Sequence, residues 1–200
     1  MQDTPRPARD RPATYADIEA LPSNMVGEIL YGVLHAHPRP AKRHGRAAWR
    51  LAGQLDGPFD LGRSGPGGWI FVGEPELHLG HNVVVPDVGG WRRRPDLQLP
   101  ETAISIAPDW ICEILSPSTS RYDRTDKLAI YAEFGVGHAW YIDPLVNTLE
   151  VMSLVDGKWQ ITSTFKDDDL VSAPPFEAHS FSLDVLWPDD EATPTNEPEQ

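Results

Sequence analysis

The sequence predicts an α/β or α+β domain, a mixed central β-sheet flanked by helices. Three observations point there: short strand-like runs punctuated by Gly and Pro, a strand–helix–strand succession between Trp110 and Asp143, and hairpin signals near both ends. The 20 prolines in 200 residues favour many short elements over long helices.

Thr14 with Asp17 three residues on resembles a capping box, with Asp in the place usually held by Glu, for a short helix ending before Pro22 and packing on a sheet edge. Val26 to Leu30 and Val33 to His37 flank Tyr31-Gly32, a two-residue hairpin turn that puts Glu28 inside the first strand. From His44 to Leu55, the residues Ala47, Ala48, Leu51, Ala52 and Leu55 recur at helical spacing. Trp69 to Val72, Glu76 to Leu79 and Val83 to Val85 read as strands, and Trp110 to Leu115 as a nearly continuous apolar strand expected at the centre of the sheet. Asp123 and Asp126 can cap a helix from about Arg124 to Phe134, with Gly135 as its left-handed stop, and a strand at Ala139 to Asp143 follows. Thr148 to Val155 and Lys158 to Phe165 bracket Asp156-Gly157, a strong hairpin signal. One domain over 13–187 is expected, with polar, aperiodic tails at 1–12 and 188–200 read as disordered.

The net charge is −13, and because 188–200 holds five acidic residues and no basic ones, the remainder is still at −8. An acidic body lacks whole-molecule attraction to nucleic acid, so any such binding must rest on a local basic patch. Arg39, Lys42, Arg43, His44, Arg46 and Arg50 form the most basic stretch, with Arg92, Arg93 and Arg94 next. Both are candidate phosphate-contacting patches, with Arg43, His44 and Arg46 the named candidate contacts, though solvated or capping roles carry equal weight. The single Cys112 cannot form an intramolecular disulfide, no apolar run is long enough to span a membrane, and the first residues lack a signal peptide's apolar core. A cytoplasmic location is therefore expected.

Alternation within Trp110 to Leu115 puts Ile111, Glu113 and Leu115 on one face and Trp110, Cys112 and Ile114 on the other. A carboxylate among apolar neighbours must be paired, metal-bound or protonated. Asp87 follows Pro86 where a strand is ending, and the competing reading is an ordinary turn aspartate before Gly89-Gly90. Lys127 lies at the edge of a half-buried helical face with Ile130, Tyr131 and Phe134; it reads either as a cation for phosphate or as a snorkelling surface lysine. Glu28 reads slightly better as an outward-facing strand residue on pattern alone. Paired acidic oxygens suit Mg²⁺ or Mn²⁺, which hold phosphate and activate water. His35 and His37 share a strand face, but no further zinc ligand is evident, and Cys112 reads as a small core residue rather than a nucleophile.

Val84-Val85-Pro86-Asp87, Cys112 to Thr119, Asp123 to Lys127 with Tyr131, and Trp140 to Pro144 together resemble the Uma-type putative restriction endonuclease family, a branch of the PD-(D/E)XK nucleases. The similarity runs from about Thr14 to Trp187. The resemblance implies a restriction-endonuclease-like core, Asp87 and Glu113 as metal ligands and Glu28 as an additional acidic residue. The superfamily's usual lysine, two residues after the glutamate, is Leu115 here, and Lys127 of the next helix matches the branch's substitute. The expected function is Mg²⁺- or Mn²⁺-dependent hydrolysis of phosphodiesters in DNA, with Asp87, Glu113, Lys127 and Glu28 catalytic and a homodimer as assembly. The alternative is a catalytically silent nuclease fold that binds nucleic acid or regulates.

Overall fold

Short strands joined by tight turns build two large sheets and a two-stranded one. The computed structural model describes residues 11–38 and 42–187. At the N-terminal end, Tyr31 and Gly32 both take positive φ, 50° and 79°, the requirement of a two-residue turn matching strand twist. They join β1 (Met25–Leu30) to β2 (Val33–Pro38) in register Glu28 to His35. These strands continue into β5 (Asn82–Val84) and β4 (Leu77–Leu79), giving a four-stranded antiparallel sheet of order β2-β1-β5-β4. The capping box forms as expected on α1 (Tyr15–Glu19). This helix reaches the edge strand β4 through Tyr15, whose ring lies 5.3 Å from that of His78, but its main contact lies further in. It packs on the interior strand β1, where Gly27 makes room for Leu21 and Ile18.

The second sheet has six strands in the order β10-β9-β8-β7-β6-β3. Its members are β3 (Trp69–Gly73), β6 (Val88–Arg92), β7 (Trp110–Ile114), β8 (His138–Asp143), β9 (Thr148–Val155) and β10 (Lys158–Lys166). The β7–β8 pair is parallel and the rest antiparallel, so the sheet is mixed as predicted. Between β7 and β8 run α3 (Ser120–Tyr122), a π-helical turn (Asp123–Lys127) and α4 (Leu128–Glu133), with Gly135 at φ 75° ending the helix. Asp156-Gly157 turns at φ 50° and 73° between β9 and β10. The small pair β11 (Leu170–Val171) and β12 (Phe181–Ser182) and a 3-10 turn (Leu183–Leu186) complete the fold.

Both faces of the six-stranded sheet are covered. Trp110, Cys112 and Ile114 pack against Ala47, Leu51 and Leu55 of α2 (Lys42–Leu55) and against Phe176, Phe181 and Leu183. Ile111 and Leu115 face the other way, onto Leu30, Leu77 and Val84 of the four-stranded sheet and Ile130 and Tyr131 of α4. Cys112 thus lies on the face opposite Glu113, fully buried and free of any disulfide. No helix among the described residues is long and apolar enough to cross a membrane. The expected tails lie, apart from Arg11 and Pro12, outside the described residues, as does Arg39 of the basic stretch. Arg11 itself pairs with Asp17 at 2.7 Å.

Two expectations fail, and each for a local reason. Gly89-Gly90 is no turn but the middle of β6. A Cβ on Gly89 would come within 2.8 Å of the Trp91 ring, and one on Gly90 within 3.0 Å of Trp110, so the glycines sit under aromatic side chains. Asp123 does not cap a helix: the helical turn already begins at Ser120, and Asp123 falls inside it with its side chain buried. The packing over β6 gives a test. Trp91 is fully buried and its indole N–H is held by the Ile106 carbonyl at 3.0 Å, so it cannot swing aside easily. Gly89→Ala is expected to cost about 1–3 kcal/mol in urea denaturation, and an unchanged midpoint would contradict this packing.

Candidate active site

The chain crosses from one sheet to the other at Val85-Pro86-Asp87, between the end of β5 and the start of β6. Proline removes a ladder donor there, so the strand breaks and its polar groups turn to side chains. The Val85 N–H donates to Glu28 Oε1 at 2.7 Å, while the Val85 carbonyl accepts from Lys127 Nζ at 3.1 Å. Asp87 Oδ2 accepts the Ile114 N–H at 2.6 Å, which ties this crossing to the end of β7 beside Glu113.

Lys127 is 2% exposed and lies within reach of three carboxylates. Its Nζ is 2.9 Å from Glu113 Oε1, 3.1 Å from Glu28 Oε1 and 3.4 Å from Asp123 Oδ1. The snorkelling alternative therefore fails, as does the outward-facing reading of Glu28, which is fully buried. Asp123, Lys127 and Tyr131 stand four residues apart on successive turns, so one helical face carries all three inward. Tyr131 donates its hydroxyl to Glu113 Oε1 at 2.7 Å, and Tyr141 donates to the Asp123 carbonyl at 2.5 Å. Leu115, where the superfamily's usual pattern has lysine, is packed in the core.

His44 projects from the first turn of α2 to Asp87, with Nε2 3.2 Å from Oδ1. It is thus a partner of the carboxylate rather than a free phosphate contact. Arg43 donates to the Pro144 carbonyl at 3.2 Å, whereas the Arg46 Nε is buried without a hydrogen-bond partner. The second basic cluster is engaged in folding: Arg92 lies 4.6 Å over the Trp69 ring, Arg93 pairs with Asp60, and Arg94 pairs with Asp109 at 3.1 Å. The His35 ring lies tilted against the Tyr122 ring at 5.0 Å, and His37 Nε2 approaches Glu28 Oε2 to 3.8 Å. No three His, Cys, Asp or Glu side chains among the described residues converge in a ready-made metal cage.

Sequence reasoning missed Asp123 as a member of the cluster. Its i,i+4 spacing to Lys127 was a usable signal, obscured by its equal suitability as a cap. Asp87, Glu113, Asp123, Lys127, His37 and His44 line one cavity of about 310 Å³.

The cluster's electrostatics are strained toward protonation. Burial raises the Glu113 pKa well above the usual carboxylate value; Lys127 opposes this, and Asp123, Asp87 and Glu28 add to the rise. Burial raises Asp123 too, against Lys127 and the hydrogen bond from Thr119. Burial would lower Lys127, but the carboxylates of Glu113 and Glu28 outweigh it and the ammonium is held well above its ordinary value. His44 is likewise lowered by burial and raised on balance by its hydrogen bond and charge interaction with Asp87.

A mixed sheet that brings carboxylates from a sheet crossing and an adjoining strand to a lysine on the next helix defines a nuclease-like fold. The chain belongs to the Uma2 family, described as "putative restriction endonuclease", which matches residues 13–186. A crystal structure described as a "putative nuclease belonging to DUF820", from Anabaena variabilis, is similar to it with a TM-score of 0.68 and 25% sequence identity, over 88% of this chain and 98% of that one. No curated protein matches the sequence.

The raised carboxyl groups set a pH dependence. A group whose pKa rises on folding holds its proton more tightly in the folded state, so its stabilisation is full below the unfolded glutamate value of about 4.3 and is lost as pH rises through the folded value. Metal-free protein is therefore expected to lose stability as pH climbs above the ordinary carboxylate range, and Glu113→Gln to flatten that loss. Urea midpoints measured across pH check this; parallel profiles for the variant and the wild type would contradict it.

Proposed function

We propose that the protein is a divalent-metal-dependent endonuclease acting on DNA phosphodiesters, with Asp87 and Glu113 as metal ligands. The observation that carries the reading is the Lys127 ammonium, 2.9 Å from Glu113 and in the wall of the cavity that Asp87 lines. The donor set fits Mg²⁺ or Mn²⁺. All the candidate donors are hard oxygens: three carboxylates, Glu28, Glu113 and Asp123, face one ammonium, and a fourth, Asp87, lines the same cavity as Glu113, Asp123 and Lys127. Such an excess of negative charge is relieved either by protons, as the raised Glu113 shows, or by a cation. When bound, a divalent ion would supply charge neutralisation at the phosphate and acidity to water.

The chain's own groups prepare the rest. The Ile114 N–H and His44 orient the two oxygens of Asp87, and Tyr131 and Lys127 hold Glu113 through Oε1. Lys127 has three N–H donors and four acceptors around it, counting the Val85 carbonyl. Exchanging one carboxylate for a phosphate oxygen therefore leaves the ammonium fully partnered, and it would stabilise charge there. Glu28 Oε2 is buried without a hydrogen-bond partner, which suits a group that takes a proton from attacking water.

The internal saturation of Lys127 also favours a second reading, a silent nuclease fold that binds nucleic acid without turnover. Metal binding separates the two. Plasmid cleavage is expected with Mg²⁺ or Mn²⁺ and should fall by roughly 100-fold or more in Asp87→Ala and in Glu113→Ala, since even groups that only orient metal ligands contribute 10–100-fold. Cleavage equal in wild type and variants would sink the mechanism, and calorimetry without metal binding at millimolar ion would favour the silent fold. His44→Ala is expected to weaken metal binding by about 10–100-fold in the same titration; an unchanged affinity would remove its positioning role.

A further inference from the structure

A second cavity, of about 440 Å³, opens beside the carboxylate cavity and shares His44 and Asp87 with it. Its walls differ in kind. Phe71, Val88 and Leu51 form an apolar floor, and Gly45, Ala48 and Ala52 on α2 are too small to fill the space above them. At its rim stands Trp49, 81% exposed, in a protein whose Trp91, Trp110 and Trp140 are all buried. Asp56 and Glu74 also line the groove, so its charge is negative and it suits an uncharged base rather than a phosphate.

We infer that this groove receives an unpaired nucleobase of the substrate strand, stacked on Trp49 next to the bond that is cut. The inference rests on the nuclease reading and adds the substrate class to it. Continuity selects the occupant: a strand with a phosphate at Asp87 must place its neighbouring base against whatever adjoins Asp87 and His44, and what adjoins them is apolar, aromatic and flat-sided. Base–aromatic stacking works for any base, because each has a π-face. The charge pattern agrees. Arg92, Arg93 and Arg94 are engaged with Trp69, Asp60 and Asp109, and the chain carries −13 overall, so the electrostatic embrace of phosphate, paired or single-stranded, is weak here. A strand held through a bound base depends less on that embrace.

The test uses the full chain and fluorescence anisotropy, which does not require cleavage. The probes are a short labelled deoxyoligonucleotide and its ribo counterpart, the same deoxy strand with a central abasic run, and its complete duplex, each with Mg²⁺ at low temperature and again with Ca²⁺. The intact single strands should bind more tightly than the abasic strand and the duplex. Trp49→Ala should weaken single-strand binding by roughly 5- to 150-fold and erase the preference over the abasic strand, while Trp49→Phe restores most of it. Trp49 is exposed, so matching thermal unfolding of the variant should exclude a folding defect. Single-strand binding lost in Trp49→Ala supports the groove whether or not cleavage follows, and cleavage of the same labelled single strand with Mg²⁺ tests the nuclease reading separately: no cut there makes that reading fail and leaves the groove standing. Equal binding of intact and abasic strands, tighter binding of the duplex, or indifference to Trp49→Ala overturns the assignment, as does a dimer in sedimentation that Trp49→Ala dissolves, which would give the groove to a second copy.

Discussion

A single buried ammonium governs this fold's centre. Lys127 lies between Glu28 of one sheet and Glu113 of the other, with Asp123 from its own π-helical turn beside it. Without it, carboxylates at 0% and 2% exposure would face each other in a medium that penalises every uncompensated charge. The sheets therefore meet where they do partly because one positive charge serves both. Even so, the charges do not balance, and the surplus appears as a glutamate whose proton is held far more tightly than usual.

That imbalance links structure to chemistry. A site designed only for stability would gain from apolar replacement of the cluster, since buried ion pairs seldom outperform well-packed hydrocarbon. Retaining three carboxylates around one cavity, with Glu28 buried behind Lys127, makes sense where a cation and a phosphate enter together, each cancelling part of the charge the other finds uncomfortable. The crossing at Pro86 supplies the geometry. It frees the Val85 peptide to join Glu28 and Lys127, and it turns Asp87 onto the Ile114 N–H at the mouth of the cavity.

Much of this was legible in the sequence because it depends on short-range rules. Both hairpins follow from φ-permissive pairs, Tyr31-Gly32 and Asp156-Gly157, and the face carrying Glu113 follows from alternation alone. The reach of Lys127 was legible only as one of two options, since a helix's facing depends on the sheet it lands on. Three features were not legible. Strand β6 was hidden because Gly89 and Gly90 owe their identity to Trp91 and Trp110 packing over them, not to a turn. Asp123 looked like a cap because capping and buried pairing call for the same short acidic side chain. The arginines at 92–94 looked like a phosphate patch because the sequence does not show Trp69, Asp60 and Asp109 waiting for them.

The central claim is that Asp87 and Glu113 together hold a divalent ion at the sheet crossing. A crystal soaked in Mn²⁺ and measured at the manganese absorption edge tests this most directly. The account predicts an anomalous peak in the cavity beside Lys127 with Asp87 and Glu113 among the residues that hold it. A well-ordered site with no peak there at millimolar Mn²⁺, or a peak ligated by other residues alone, would contradict it.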